Sequence, residues 1–196
     1  MSYPPNVGAT AQLATSREGF VLAESILGTA EPRRVSEDLA TFCAVRLGSG
    51  VDETFFCELS VGAAFGLRLR DGRRVMLKVH PPYWSYRFLE AACRVQRHLF
   101  SRGFPCPEPI TGPLQFGGGF ATVEAFVDDG KPAAAHEPDI RRSMAHALAL
   151  LIGLAADGLD AQARLQAWKP PPDRGQWLVP HNSLSILKRR PQARNV

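Results

Sequence analysis

The sequence predicts an α+β fold, built on a five-stranded antiparallel sheet with one helix inserted after the third strand. An Asp71-Gly72 turn between two runs of alternating side chains is the first observation, since it is a strong hairpin signal. The second observation is that the most regular helical spacing of apolar residues begins only after the third strand-like run. Two further apolar runs then flank a triple-glycine turn. A parallel sheet would need a helix between each pair of successive strands, and the sequence predicts one only after the third strand.

Composition sets the size and class of the protein. The 196 residues are 45% hydrophobic, enough for one domain or one domain with appendages. No stretch approaches the roughly 20 apolar residues that span a bilayer, and no signal peptide is evident. Four cysteines without C-x-x-C pairing fit a reducing compartment: Cys43, Cys57, Cys93 and Cys106. We therefore expect a cytoplasmic protein with no membrane partner.

The net charge of +4 is concentrated in the tail 184–196. The tail contains Lys188, Arg189, Arg190 and Arg194 and no acidic residue. Without these four of the 23 basic residues, 19 remain against 19 acidic ones. A neutral body predicts no nucleic-acid partner. The rival hypothesis is nucleic-acid binding through the tail, which predicts salt-dependent binding that is lost when the tail is deleted.

The chain begins with a polar segment, 1–16, that we expect to be disordered. Helical spacing then appears over 18–27 and 36–47. Ser36 is the predicted N-cap of the second helix, and glycines stop it at 48 and 50.

Three strands are predicted next, over 55–61, 64–69 and 74–79. On the third strand, alternation separates an apolar face from a second face, with Val75, Leu77 and Val79 on the first and Met76, Lys78 and His80 on the second. Gly62 and Gly66 are expected where the first strand pair turns. Lys78 therefore lies on the third strand beneath a glycine-bearing turn.

A helix is predicted over 85–102, followed by an extended proline-rich connector at 104–109. Its apolar positions are Phe88, Ala91, Ala92, Val95, Leu99 and Phe100. Strands over 110–114 and 120–127 flank the glycine turn, and 128–132 breaks the pattern. The last predicted helix covers 138–155, with an apolar stripe of Ile140, Met144, Ala147, Leu148, Leu151 and Leu154.

This order of elements predicts a protein-kinase-like small lobe. We assign N-terminal helices to 17–50, the small lobe to 51–130 and the start of a helical lobe to 131–183. In kinase-like folds, a strand lysine beneath a glycine turn holds the phosphates of ATP. The alternative is a solvated edge lysine, since Gly62 and Gly66 do not fit G-x-G-x-x-G.

Three spaced segments carry a resemblance to a known family: LRLRDGRRVMLKVHPP, FLEAACRVQRHLFSRGFPCPEPITGP and FATVEAFVDDG. Together they resemble the amino-terminal half of the aminoglycoside phosphotransferase family, over roughly residues 54–155. The resemblance implies ATP as cofactor, with Mg²⁺ in the parent family, and phosphoryl transfer to the hydroxyl of a small-molecule acceptor. It does not name that acceptor.

The resemblance also implies roles for particular residues. Lys78 matches the lysine that contacts the α- and β-phosphates, and Glu90 is the candidate carboxylate that orients it. The alternative for Glu90 is an i,i+4 partner of Arg94. The turn over the phosphates would be formed by Gly62, Ala63, Ala64 and Phe65. The hinge whose backbone meets adenine would be Glu124, Ala125 and Phe126, or else an edge strand without a ligand.

The sequence departs from the family in its last third. An H-G-D-x-x-x-x-N loop and a D-x-D/E metal site are absent from 156–196. The acids there are Asp157, Asp160 and Asp173, in no matching context, and His181-Asn182 is interpreted as structural. We assign no catalytic or metal-binding residue, since the transfer step needs a base and carboxylates for Mg²⁺.

These departures predict a truncated large lobe and a kinase that is inactive alone. The tail 184–196 is interpreted as aberrant, and we hypothesise a frameshifted end. The alternative function is a non-catalytic binding or regulatory lobe that pairs with itself or with another chain through the 138–155 helix.

Overall fold

The computed structural model describes residues 17–131 and 133–156, and a five-stranded antiparallel sheet is its central element. The helices are α1 (Arg17–Leu27), α2 (Pro32–Leu47), α3 (Tyr86–Ser101) and α4 (Pro138–Ala156). The strands are β1 (Val51–Leu59), β2 (Ala63–Leu69), β3 (Arg74–Val79), β4 (Leu114–Phe116) and β5 (Gly119–Ala125), in the sheet order β1-β2-β3-β5-β4. This confirms the predicted α+β, kinase-like class.

Several predictions concern residues outside the part of the chain that the structure describes. These are the N-terminal segment 1–16, the tail 184–196, the three late aspartates and His181-Asn182. Within the described part, no helix is long and apolar enough to cross a membrane.

Helices α1 and α2 cover one face of the sheet. The predicted apolar face of β3 is fully buried there, with Val75 and Leu77 at 0% exposure. The same core includes Leu39 and Phe42 of α2. The edge of the Phe42 ring packs against Phe116, with 5.4 Å between ring centroids. Lys78 projects from the opposite face, because side chains alternate along a strand.

Helix α2 begins four residues earlier than predicted. Glu31 is the N-cap, and its carboxylate accepts hydrogen bonds from the N–H groups of Arg33 and Arg34. Pro32 follows, where a missing N–H costs nothing. The predicted cap, Ser36, is buried inside the helix, and its hydroxyl donates to Pro32 O at 2.9 Å.

Gly66 lies within β2, so the expectation that it forms the turn is wrong. The turn is at 60–62, where Ser60 N–H donates to Gly62 O at 2.9 Å. Gly66 instead makes room for a neighbouring ring, because a Cβ at this position would lie 2.6 Å from Phe55 Cε2. An irregularity in the β1–β2 register between Thr54 and Phe56 brings that ring over the strand.

The fourth strand also differs from the prediction, which placed it at 110–114. The structure forms β4 at Leu114–Phe116. The preceding connector runs along the edge of β5, where the N–H groups of Ile110 and Thr111 both donate to Val123 O. Prolines prevent this connector from forming a regular ladder.

The inserted helix, α3, starts one residue after the predicted start, and Ser85 is its N-cap, whose Oγ accepts from Phe88 N–H at 3.3 Å. Two predicted core positions, Ala92 and Phe100, are exposed, and Leu89 and Cys93 are buried instead. The C-terminal end of α4 packs against α3, where His98 Nε2 lies 3.1 Å from Leu154 O.

Along α4, the predicted apolar stripe divides into two faces. Ile140, Ala147, Leu151 and Leu154 are half-buried. Met144, Leu148 and Ile152 stand 57%, 56% and 63% exposed on the adjacent face.

Candidate functional site

A cleft of about 330 Å³ opens between the β1–β2 turn and the end of β3. It brings together predicted site residues from two elements: Gly62, Ala63 and Ala64 from the turn and the start of β2, and Lys78 from β3. Phe65, the fourth residue assigned to the turn, is instead in β2 and fully buried in the core. The other cleft-lining side chains include Glu58, Ser60, His80 and Trp84.

The strand register explains the position of Lys78. It lies opposite Ala64 on β2 and opposite Thr122 on β5, so two small side chains flank it. Gly62 lets the turn come close to the end of β3, since a Cβ there would lie 2.7 Å from Val79 O. Any side chain at position 62 would push the turn away from the lysine.

Lys78 pairs with Glu124 of β5, and its Nζ lies 2.5 Å from Glu124 Oε1. The Glu124 side chain is 11% exposed and that of Lys78 is 43% exposed. The second carboxylate oxygen, Oε2, accepts from Gln96 Nε2 of α3 at 3.0 Å. The sequence predicts only a backbone role for Glu124, so the role of its side chain and that of Gln96 are found only in the structure. The available signal was alternation, which places Glu124 and Thr122 on the same face of β5.

Glu90, the carboxylate expected beside Lys78, contacts other side chains instead. Its Oε2 is 3.1 Å from Arg94 Nη1, one helical turn away. Its Oε1 is 3.4 Å from the Tyr86 hydroxyl. These contacts match the alternative given for Glu90, in which it is an i,i+4 partner of Arg94. A role for Glu90 when nucleotide is bound stays a prediction.

His80 forms a neutral part of the cleft wall. Its Nε2 lies 2.9 Å from Thr122 Oγ1, and its ring stacks on Trp84 with 5.4 Å between centroids. Burial and, to a lesser extent, the nearby Lys78 charge lower the pKa of His80 from 6.5 to about 4, against a weaker opposing effect of Glu124. The imidazole is therefore uncharged at neutral pH and adds no positive charge to the cleft.

The segment assigned as the adenine hinge already uses two of its backbone donors. Ala125 N–H donates to Glu108 O at 2.8 Å, and Phe126 N–H donates to Arg74 O at 3.1 Å. The Arg74 guanidinium lies over the Phe126 ring, 4.7 Å from its centroid, and pairs with Asp128. Contact between this backbone and adenine stays a prediction, and in this conformation these two N–H groups are not free for it.

The cleft carries little net positive charge. Lys78 is the cationic side chain among the residues that line it, and Glu58 lines it too. Among the described residues, no group of three or more His, Cys, Asp or Glu side chains is arranged to hold a metal ion.

A lysine on the third strand of such a sheet, beneath a glycine turn and beside an inserted helix, defines the small lobe of kinase-like phosphotransferases. The model of the Phosphotransferase enzyme family matches residues 45–194, and the chain belongs to that family. The match confirms the resemblance drawn from the sequence. No curated protein matches the chain significantly.

Proposed function

We propose that this chain binds ATP in the cleft beside Lys78, as the small lobe of an enzyme that phosphorylates a hydroxyl of a small molecule. The observation that carries the proposal is the cleft itself, in which Lys78 faces the Gly62 turn. Membership of a phosphotransferase family supports nucleotide use in general. The four cysteines are all free thiols, which supports the cytoplasm as its compartment.

The proposed binding mode depends on charge and position. The Lys78 ammonium would meet the phosphate oxygens, since a cation in a half-buried cleft stabilises them more than one in water. The backbone of the 60–62 turn would lie close to the same phosphates. Bound Mg²⁺ would supply the remaining positive charge, which the described residues do not provide.

We further propose that the chain alone does not complete phosphoryl transfer. The sequence contains no H-G-D-x-x-x-x-N loop, and so has no assigned base to receive the hydroxyl proton. The expected product of this chain acting alone is a nucleotide complex without turnover.

The test compares the purified full chain with Lys78→Ala in a thermal unfolding assay. Millimolar Mg-ATP should raise the Tm of the wild type, because a ligand that binds only the folded state stabilises it. Lys78→Ala should lose that rise, whereas Lys131→Ala, at an exposed lysine away from the cleft, should keep it. No shift in the wild type, or an equal shift in Lys78→Ala, would contradict the proposal. ATP consumption that depends on Lys78 would contradict inactivity.

A second candidate function, binding of another polypeptide, is favoured by the exposed stripe of α4, which is formed by Met144, Leu148 and Ile152. We propose as its partner a helical polypeptide that carries the missing catalytic loop, because such a chain would both cover the stripe and complete the transfer apparatus. Self-association of this chain would contradict that choice of partner.

A further inference from the structure

We propose that Glu124, anchored by Gln96, is the positioning residue that holds Lys78 ready for nucleotide phosphates, a task that the family resemblance assigns to Glu90. The inference deepens the proposed nucleotide binding and rests on it. It also makes a separate claim about the protein without ligand, namely which carboxylate restrains the lysine.

The ion pair leaves Lys78 able to bind a ligand. Its Nζ is 2.5 Å from Glu124 Oε1, while the lysine lines the cleft and 43% of its side chain remains exposed. An ammonium has three N–H donors, and a single carboxylate oxygen uses one of them. The remaining donors can meet phosphate oxygens without breaking the pair with Glu124.

Glu124 is held more firmly than the lysine that it orients. Its side chain is only 11% exposed, and both carboxylate oxygens have partners. The register places Glu124 opposite Met76, two residues from Lys78 on the same face of β3. A buried carboxylate with both oxygens bonded has little freedom to change rotamer. It can therefore fix the lysine.

Gln96 connects this pair to helix α3. Its Nε2 donates to Glu124 Oε2 at 3.0 Å and to Pro107 O at 2.9 Å. The amide thus ties the helix to β5 and to the connector after the helix. In the family pattern, a helix carboxylate would reach the lysine directly. Here the helix acts on Lys78 through Gln96 and then Glu124.

Glu90 lies outside this chain of contacts. Its two oxygens face Arg94 and the Tyr86 hydroxyl, both on its own helix. Lys78 is therefore restrained by Glu124 of β5 and not by Glu90 in the middle of α3.

The opposite hypothesis is that Glu124 occludes Lys78 and must release it before a nucleotide binds. The two hypotheses predict opposite signs for Glu124→Gln. If Glu124 positions the lysine, the variant binds ATP more weakly. If Glu124 occludes the lysine, the variant binds ATP more tightly. The exposure of Lys78 on the cleft side favours positioning.

The experiment measures the affinities of Mg-ATP and adenosine by calorimetry on the full chain and on four variants: Glu124→Gln, Gln96→Leu, Glu90→Gln and Glu37→Gln. We expect Glu124→Gln and Gln96→Leu to weaken Mg-ATP roughly five- to tenfold, as for a lost charge-assisted hydrogen bond. Adenosine, which lacks phosphates, should bind unchanged. A merely structural defect would weaken both ligands. Glu37 pairs with Arg33 on the far side of the sheet and controls for the lost charge.

A second measurement does not need a nucleotide. The acylation rate of Lys78 by an amine-reactive ester, followed by peptide mass spectrometry, reports how firmly the ammonium is held. We expect Glu124→Gln to raise this rate severalfold and Glu90→Gln to leave it unchanged.

The outcomes separate the two claims. If the wild type binds no ATP, the proposed function fails, and the acylation rates still decide which carboxylate holds Lys78. If Glu90→Gln raises the acylation rate and Glu124→Gln does not, the positioning claim is wrong. Tighter Mg-ATP binding by Glu124→Gln would also overturn it.

Discussion

Glu58 and Lys78 line the same cleft with opposite charges, so Glu58 should oppose a phosphate ligand. Replacing it by Gln removes that repulsion, and we expect Mg-ATP to bind about threefold more tightly, as for one screened charge near a protein surface. Calorimetry at low and high salt checks the effect, which should shrink as salt screens it. The control is Glu37→Gln, which removes the same charge at a distance. An equal gain in both variants would assign the effect to net charge alone.

His80 should make stability depend on pH. Its pKa falls from 6.5 to about 4 in the folded chain, mainly through burial. Between these values the unfolded chain binds a proton that the folded chain does not, so stability is lost as pH falls through this window. The loss approaches about 1.4 kcal/mol per pH unit and vanishes above the unfolded pKa.

The measurement is the free energy of unfolding by urea at several pH values, for the wild type and His80→Gln. The variant should show a shallower decline between roughly pH 6.5 and 4, since glutamine carries no titrating group. His136→Gln, at an exposed position, should keep the decline of the wild type. A decline that is equal in His80→Gln would show that other groups cause it.

At the residue scale, Lys78 could be predicted and its partner could not. Strand alternation and one Asp-Gly turn were enough to place the lysine on the third strand beneath a glycine-bearing turn, although the exact turn, at 60–62, was not predicted. Glu124 depends on the pairing of β3 with β5, which are separated by a helix and a long connector. Such non-local register cannot be read from local periodicity. The family pattern therefore favoured Glu90, which is the only acidic residue of α3.

At the element scale, the contacts around Gly66 explain why β2 has a glycine in its interior. Ala at this position would place its Cβ 2.6 Å from Phe55 Cε2 and 2.9 Å from Phe56 Cβ. Overpacking of this kind costs about 1–3 kcal/mol, despite the gain in strand propensity. Urea unfolding of Gly66→Ala should show that loss. Gly112→Ala, whose added Cβ meets nothing within 4 Å, should be close to neutral. Equal stability of both variants would mean that the Phe55 ring moves aside freely.

The sequence predicted that these helices and strands exist, but it predicted less well the residues at which they begin and end. The proline at 32 was the missed signal in α2, since it suits a first turn and Glu31 can cap it. For β4, Ile110 and Thr111 do bond to β5, but as part of a connector, because both of their N–H groups donate to Val123 O. A bifurcated contact of this kind has no sequence signature.

At the scale of the whole molecule, the two faces of the sheet have different surroundings. Helices α1 and α2 bury one face in the main core. The other face carries Lys78, Thr122 and Glu124, with α3 reaching it through Gln96. Substitutions on the Lys78 face should therefore change ligand affinity more than folding, while those among the buried apolar residues should do the reverse.

The last prediction concerns binding of a second polypeptide to the exposed stripe on α4. A triple variant, Met144→Gln, Leu148→Gln and Ile152→Gln, should abolish capture of a separately expressed family second-lobe polypeptide that carries the catalytic loop, as measured by calorimetry. Its unfolding free energy should stay close to that of the wild type, because all three side chains are more than half exposed. The matched control, Phe20→Gln with Val21→Gln, removes exposed apolar side chains from α1 and should still bind. Loss of capture in both variants would point to general surface hydrophobicity. Capture by the α4 variant would place the contact elsewhere, and the proposal that the stripe binds a second-lobe polypeptide would then fail.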